Sequence, residues 1–275
     1  MDAVGPQALW GYALALFAAG LLAGFLGGLI GAGGGLIVVP VLYHSFSALG
    51  VPSGVRMHLV VGTALAAVVP MSLIGMRQHW RRGNLDWDLA RRLALPVLAG
   101  SVVAGLLAGR IHSVALSLVF AGVAAFVSLN MGRRNGIAFP RGLPGPLATG
   151  LLGAGIGSVS TLVGIGGATL SVPLLYALRT PMPLAIGTAS ALGALIGLPG
   201  AVGFMATGWG DARVLPGSWG YVNLPAAAIV FVASALAIPF GARWTQRVDE
   251  RVLRGVFAVF LALTSVKMLV TALWA

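Results

Sequence analysis

The sequence predicts an all-α polytopic membrane protein: two inverted-topology repeats of about five helical segments each, with short helices interrupted by glycine. Three observations carry that expectation. Hydrophobic residues make up 58% of the 275 positions and charged residues 8%, against about 25% charged in a soluble domain, so the charges are too few to face water all round. The apolar residues gather into segments of membrane-crossing length. A glycine-rich stretch, GLIGAGGGLIVVPVL at 28–42, returns as TLVGIGGATLSVPLL at 161–175.

The segments divide the chain. Residues 1–131 form a first transmembrane repeat with apolar runs at 8–30, 34–48, 56–79, 88–109 and 113–131. Residues 132–142, GRRNGIAFPRG, read as a basic cytoplasmic linker, and 143–275 as a second repeat with runs at 143–164, 167–178, 184–207, 219–241 and 252–273. About 20 apolar residues cross a bilayer as a helix. The runs 34–48 and 167–178 fall short, and each follows a glycine motif. A full span followed by a shorter, oblique one is the expected path, with a re-entrant hairpin as the alternative. MDAVGPQ lacks the basic region of a signal peptide, so the first segment is expected to be retained.

The basic residues set an orientation. The chain carries 17 Lys and Arg, 6 Asp and Glu, and a net charge of +11. If it changes sides at every segment, thirteen arginines between Arg77 and Arg254 share one face, and only Arg56, Arg110 and Arg213 lie on the other, with Lys267 in the last span. Cytoplasmic loops hold the Lys/Arg excess. That places both termini outside a bacterial cytoplasmic (inner) membrane and explains the charge without nucleic acid, for which no aromatic-interleaved basic face exists. Merging each short run with its predecessor would move Arg243–Arg254 to the wrong side.

The repeat pairs Gly20 with Gly153, Gly24 with Gly157, Gly31 with Gly164, Gly33 with Gly166, Gly34 with Gly167 and Pro40 with Pro173, and further on Gly62-Thr63 with Gly187-Thr188. Five reversals per half turn the second copy over, the signature of an inverted repeat. Gly20, Gly24, Gly153 and Gly157 lie on small-residue stripes that let helices approach closely in lipid. Such faces also make a homodimer an expectation.

Three readings compete for the glycine motif. A dinucleotide loop needs a third glycine, a preceding strand and a later acid; Leu36 and Thr169 stand where that glycine should be. A purely structural turn uses the left-handed angles open to glycine. A substrate site adds that a helix broken at glycine presents free N–H groups and partial positive charge at the next N-terminus, tolerated in a membrane only when buried in protein or lining a wet cavity. That third reading implies an anion. It makes Gly31, Gly33, Gly34, Gly35, Thr63, Gly164, Gly166, Gly167, Thr169, Ser171, Thr188 and Ser190 candidate substrate-binding residues, with Pro40 and Pro173 as structural helix breaks. The hydroxyls either donate to an oxyanion or bond back to helix carbonyls.

The remaining chemistry is sparse. All six acids, Asp2, Asp86, Asp88, Asp211, Asp249 and Glu250, fall in termini or loops, so no membrane carboxylate offers a cation path. The chain has no cysteine, which excludes disulfides and thiolate metal sites. No catalytic constellation, cofactor motif or metal set is found. His44, His58, His79 and His112, and seven tryptophans, stand near segment ends, as interfacial residues do. Lys267 is expected to snorkel outward.

GLIGAGGGLIVVPVL with its echo, the two Gly-Thr pairs and RRGNLDW at 81–87 resemble the TauE/SafE sulfite exporter family over nearly the whole chain. The resemblance implies an integral membrane permease for sulfite or organosulfonates, built from two related halves. It marks Gly31, Gly33, Gly34, Gly35 and Pro40, then Gly164, Gly166, Gly167 and Pro173, as motif positions. The second copy departs from the pattern at Ala168, where the first has Gly35. The expected function is export of a small sulfur oxyanion by alternating access. The alternatives are an uptake permease for organosulfonates or other anions and a non-transporting membrane scaffold or assembly factor.

Overall fold

The computed structural model describes residues 6–30, 34–132 and 145–244, together with residues 259, 262–263, 265–267 and 269–270. The described chain is helical nearly throughout, because lipid leaves a backbone few other ways to satisfy its N–H and C=O groups. In order come α1 (Pro6–Ile30), α2 (Gly35–Ala48), α3 (Ser53–Arg81), α4 (Trp87–Leu107), α5 (Ser113–Gly132), α6 (Pro146–Val163), α7 (Ala168–Ala177), α8 (Met182–Thr207) and α9 (Leu224–Trp244). The described residues of the tenth expected segment, between 259 and 270, are helical too. Six of these helices are long and apolar enough to cross a membrane, while α2, α5 and α7 are shorter over their apolar described residues. At about 1.5 Å per residue, α3 extends about 44 Å, but α7 only about 15 Å.

The long helices α3 and α8 pack against each other at the centre. On one flank α1 lies along α9, and on the other α6 lies along α4. Glycine decides both flanking contacts. A Cβ on Gly24 would strike the Ser234 backbone, and a Cβ on Gly157 would strike Val97 O and stand 3.0 Å from Ser101 N. Gly20 meets Ala233 and Val230 in the same way, and Gly153 meets Pro96 and Val97. Ser234 Oγ donates to the Gly20 carbonyl at 2.8 Å. Leu16 and Ala23 of α1, Leu36 to Phe46 of α2, and Val55 to Met71 of α3 feed one buried cluster with residues from α4 to α9.

Several sequence expectations need correction. Pro40 and Pro173 break nothing: each is the sixth residue of its helix, inside α2 and α7. Pro70, Pro96, Pro199 and Pro239 likewise sit inside helices. A proline removes one intrahelical bond, which surrounding protein makes tolerable in membrane helices. His58 and His79 stand near the two ends of α3 but are buried in protein, at 5% and 7% exposure. The ninth segment starts at Leu224 rather than 219, because residues 218–223 form a two-stranded hairpin, β1 (Ser218–Trp219) with β2 (Val222–Asn223). Asn223 Oδ1 then accepts from Ala226 N–H at 3.0 Å and starts the helix, as N-cap residues do.

Candidate functional site

The two glycine reversals meet. Gly34 adopts left-handed angles (φ 60°) as the cap of α2 and folds back on α1, so that its Cβ would lie 3.1 Å from the Ala23 carbonyl. Gly164 is left-handed (φ 74°) at the end of α6. There the Ile165 N–H donates to the Ser160 carbonyl at 3.1 Å and the Gly164 N–H to Thr161 at 3.3 Å, the hydrogen-bond pattern of a glycine C-cap. A Cβ on Gly35 would stand 2.7 Å from the Gly164 carbonyl and 2.8 Å from Ile165 Cα. The start of α2 thus rests on the second turn. The N-termini of α2 and α7 have no side-chain cap, so their N–H groups are not claimed from that quarter.

The two turns are not copies in detail. Gly34 and Gly167 align, yet Gly167 has φ −52°. The left-handed residue of the second turn is Gly164. Gly31 and Gly33 lie outside the described residues, so the corresponding angles of the first turn are not compared.

The candidate hydroxyls separate into two groups. Thr63 Oγ1 donates to the Leu59 carbonyl at 2.6 Å and accepts from Asn223 N–H at 2.9 Å. Thr188 Oγ1 accepts from Asp86 N–H at 3.2 Å, and Ser190 Oγ donates to the Ile186 carbonyl at 2.9 Å. These three are engaged in the fold. Thr169 is buried at 4% exposure and Gly166 and Gly167 are buried beside it. Ser171 Oγ, in the first turns of α7, is buried with no hydrogen-bond partner. So are Ser160 Oγ and Thr161 Oγ1, in the last turn of α6. All three residues have 0% exposure.

Ser160 and Thr161 continue the small-residue stripe of Gly153 and Gly157 at helical spacing and are absent from the candidate residues read from the sequence. The signal was present. The equivalent positions of the first repeat, Gly27 and Gly28, carry no side chain, so only the second copy puts hydroxyls beside its turn. A buried hydroxyl without a partner costs about 1–3 kcal/mol, and most native ones find one. Three such hydroxyls flank one reversal, on the last turn of α6 and the first turns of α7.

Beside the second turn lies a cavity of about 30 Å³, lined by Gly27, Met71, Ser72, Gly75, Ala168, Ala189, Ser190 and Ile238. That is room for a water or two. Its walls are neutral. Among the described residues the acids are Asp86 at the cap of α4, Asp88 in its exposed first turn, and Asp211 in the α8–α9 loop. No group of three or more His, Cys, Asp or Glu among them could hold a metal.

The α8–α9 loop closes over one end of α3. Asp211 accepts from Arg213 at 2.7–2.9 Å and from Tyr221 O–H at 2.8 Å. Those Arg213 hydrogen bonds hold the Asp211 carboxyl well below the usual carboxylate range, while burial pushes the Tyr221 phenol up. The Tyr221 ring lies 5.0 Å from the His58 ring, and His58 Nε2–H donates to the Ile111 carbonyl at 2.8 Å.

Comparison with known proteins fits this architecture. The family described as "Sulfite exporter TauE/SafE" matches residues 16–268. A "Probable membrane transporter protein" of Haemophilus influenzae is 32% identical over 90% of this chain and 95% of its own length. One from Methanocaldococcus jannaschii is 26% identical over 92% and 94%, and one from Bacillus subtilis 24% identical over 91% and 97%. No solved structure matches the chain. From a helical bundle able to cross the bilayer several times, a match over nearly its full length and these relatives, the chain belongs to the sulfite exporter TauE/SafE family and is a multi-pass membrane transporter of a small molecule, not an enzyme.

Proposed function

We propose that this protein exports a small sulfur oxyanion, sulfite or an organosulfonate, across a bacterial cytoplasmic membrane by alternating access between two inverted halves. The observation that carries the reading is the meeting of the two glycine reversals beside three buried, unpartnered hydroxyls, Ser160, Thr161 and Ser171. Uncapped helix N-termini favour negative charge, and hydroxyl donors suit oxyanion oxygens. The packing pairs support inverted halves: exchanging α1 with α6, α3 with α8 and α4 with α9 turns the α1–α9 contact into α6–α4 and leaves α3–α8 in place. Membership of a family described as sulfite exporters suggests the sulfur oxyanion.

Energetics favour the outward direction. With the cell interior negative, an anion leaving gains about 2.3 kcal/mol per charge per 100 mV. No coupling carboxylate is needed, and none stands within the cavity wall. The test is radiolabelled sulfite flux in proteoliposomes under a clamped potential. At 100 mV, steady accumulation should reach about 50-fold per net charge moved. Flux insensitive to potential, or none for any sulfur oxyanion, overturns the proposal. Thr161→Val and Ser171→Ala should each lower flux about tenfold with the protein still inserted, if each hydroxyl supplies one charge-assisted bond.

A further inference from the structure

Two contacts at opposite ends of α3 share one design. At one end Gly62 lies under the Tyr221 carbonyl, with room for no side chain, and 2.9 Å from Phe204 Cβ by its would-be Cβ. Next to it Thr63 Oγ1 accepts from the Asn223 N–H, and Asn223 Oδ1 in turn caps α9 through Ala226 N–H. At the other end Gly187 lies under the Asn84 carbonyl, and its would-be Cβ is 3.0 Å from His79 Cβ. Next to it Thr188 Oγ1 accepts from the Asp86 N–H, and Asp86 Oδ1 caps α4 through Leu89 N–H. One offset relates Gly62, Thr63 and Phe204's partner His79 across the halves, and another relates Asn84, Asp86 and Leu89 to Tyr221, Asn223 and Ala226.

We infer that these are two equivalent latches, Thr63 receiving the loop before α9 and Thr188 receiving the loop before α4, and that the described conformation has both closed. The inference rests on the alternating-access reading and deepens it. The Gly-Thr pairs then serve as docking points rather than substrate ligands. Both hydroxyls accept from loop backbone, and Thr63 spends its own proton on Leu59. The cavity of about 30 Å³, whose wall includes Ala189 and Ser190 next to Thr188, has room for a water or two, and on this inference an anion passes once a loop lifts. Releasing a latch costs one interhelix hydrogen bond and frees a glycine-bedded carbonyl. The helix cap within the loop, Asn223 or Asp86, stays intact, so each loop moves with its own helix as a unit. The latches are not identical. The loop before α9 is additionally tied by Asp211 to Arg213 and Tyr221.

The absence of cysteine allows a direct test with Ser190→Cys, which places a thiol in the cavity wall. A charged, membrane-impermeant thiosulfonate is applied to oriented vesicles from each side in turn. Thr63→Val should raise labelling about fivefold, the weight of one net hydrogen bond, from the side of residues 208–223 alone. Thr188→Val should do the same from the side of residues 82–86 alone. Thr63→Ser and Thr188→Ser, which keep the acceptor oxygen, should restore the parent rate. Where a valine variant does not insert, the alanine variant removes the same oxygen and is read identically. Labelling that rises equally from both sides, or does not change, overturns the latches. Sided labelling in a protein that carries no sulfur oxyanion upholds the latches and overturns the proposed substrate.

Discussion

A left-handed backbone angle is where single residues carry most weight here. Gly34 and Gly164 hold such angles, and alanine at either should cost about 1–2 kcal/mol from backbone strain alone, read as a lower midpoint of thermal unfolding in detergent. Gly167, at φ −52°, escapes that strain. A Cβ there meets the movable Ile196 Cδ1 at 2.8 Å and the Gly193 and Leu192 backbone at 3.2–3.3 Å, so Gly167→Ala should cost packing alone and be the milder change. Arg179 is the reverse case. It holds φ 62° at the end of α7 without being glycine, and Arg179→Gly should raise stability by up to about 1 kcal/mol. Asp211 adds a pH-dependent contact. Its carboxyl is held below the ordinary range by Arg213, so the contact is complete at neutral pH and above. It is lost as pH falls through that lowered value, below where carboxylates usually titrate. Hydrogen exchange of residues 218–223 should therefore stay slow across the neutral range and accelerate in strong acid, and Asp211→Asn should accelerate it already at neutral pH.

Helix pairs are set by what glycine leaves out. In lipid, close backbone approach replaces hydrophobic exclusion as the reason for association. Among the described glycines, Gly24 on Ser234 is the tightest contact of the α1–α9 pair, and Gly157 on Val97 with Gly100 on Ala154 the tightest of the α6–α4 pair. Gly24→Leu or Gly157→Leu should destabilise the bundle by at least about 1–3 kcal/mol. Gly122→Leu, where nothing lies within 4 Å, should change stability by less than about 0.5 kcal/mol. Thermal unfolding of the three purified variants separates these cases. If all three behave alike, close approach at Gly24 and Gly157 is not what holds the pairs.

At the scale of the whole molecule, the turn contact and two loop contacts join elements before residue 132 to elements after residue 145. Gly35 rests on Gly164 and Ile165, Thr63 of α3 holds Asn223, and Thr188 of α8 holds Asp86. If both loop contacts act as the latches inferred above, this conformation is closed to both sides. The cavity of about 30 Å³ beside Ser190 agrees. Substrate added to detergent-solubilised protein should then stabilise it only slowly or at high concentration, because binding first requires a closed form to open. Instant, saturable stabilisation by sulfite would mean that an open form is already abundant.

The amino-acid pattern by itself determined the helices and their ends. Apolar runs between arginine- and glycine-rich breaks mark ten segments, and the nine with described limits lie within about five residues of the expected ones, because in lipid a helix runs wherever the side chains are apolar. It also determined where the chain reverses, since Gly34 and Gly164 suit angles that other residues resist. Tertiary structure decided the rest. The prolines suggested breaks, yet the cost of one missing hydrogen bond is local and packing absorbs it. Thr63, Thr188, Ser160 and Thr161 look alike as letters. Whether a hydroxyl holds a loop or stands unpartnered depends on which backbone N–H or carbonyl the fold brings within 3 Å, and that partner is as distant in sequence as Asn223 is from Thr63.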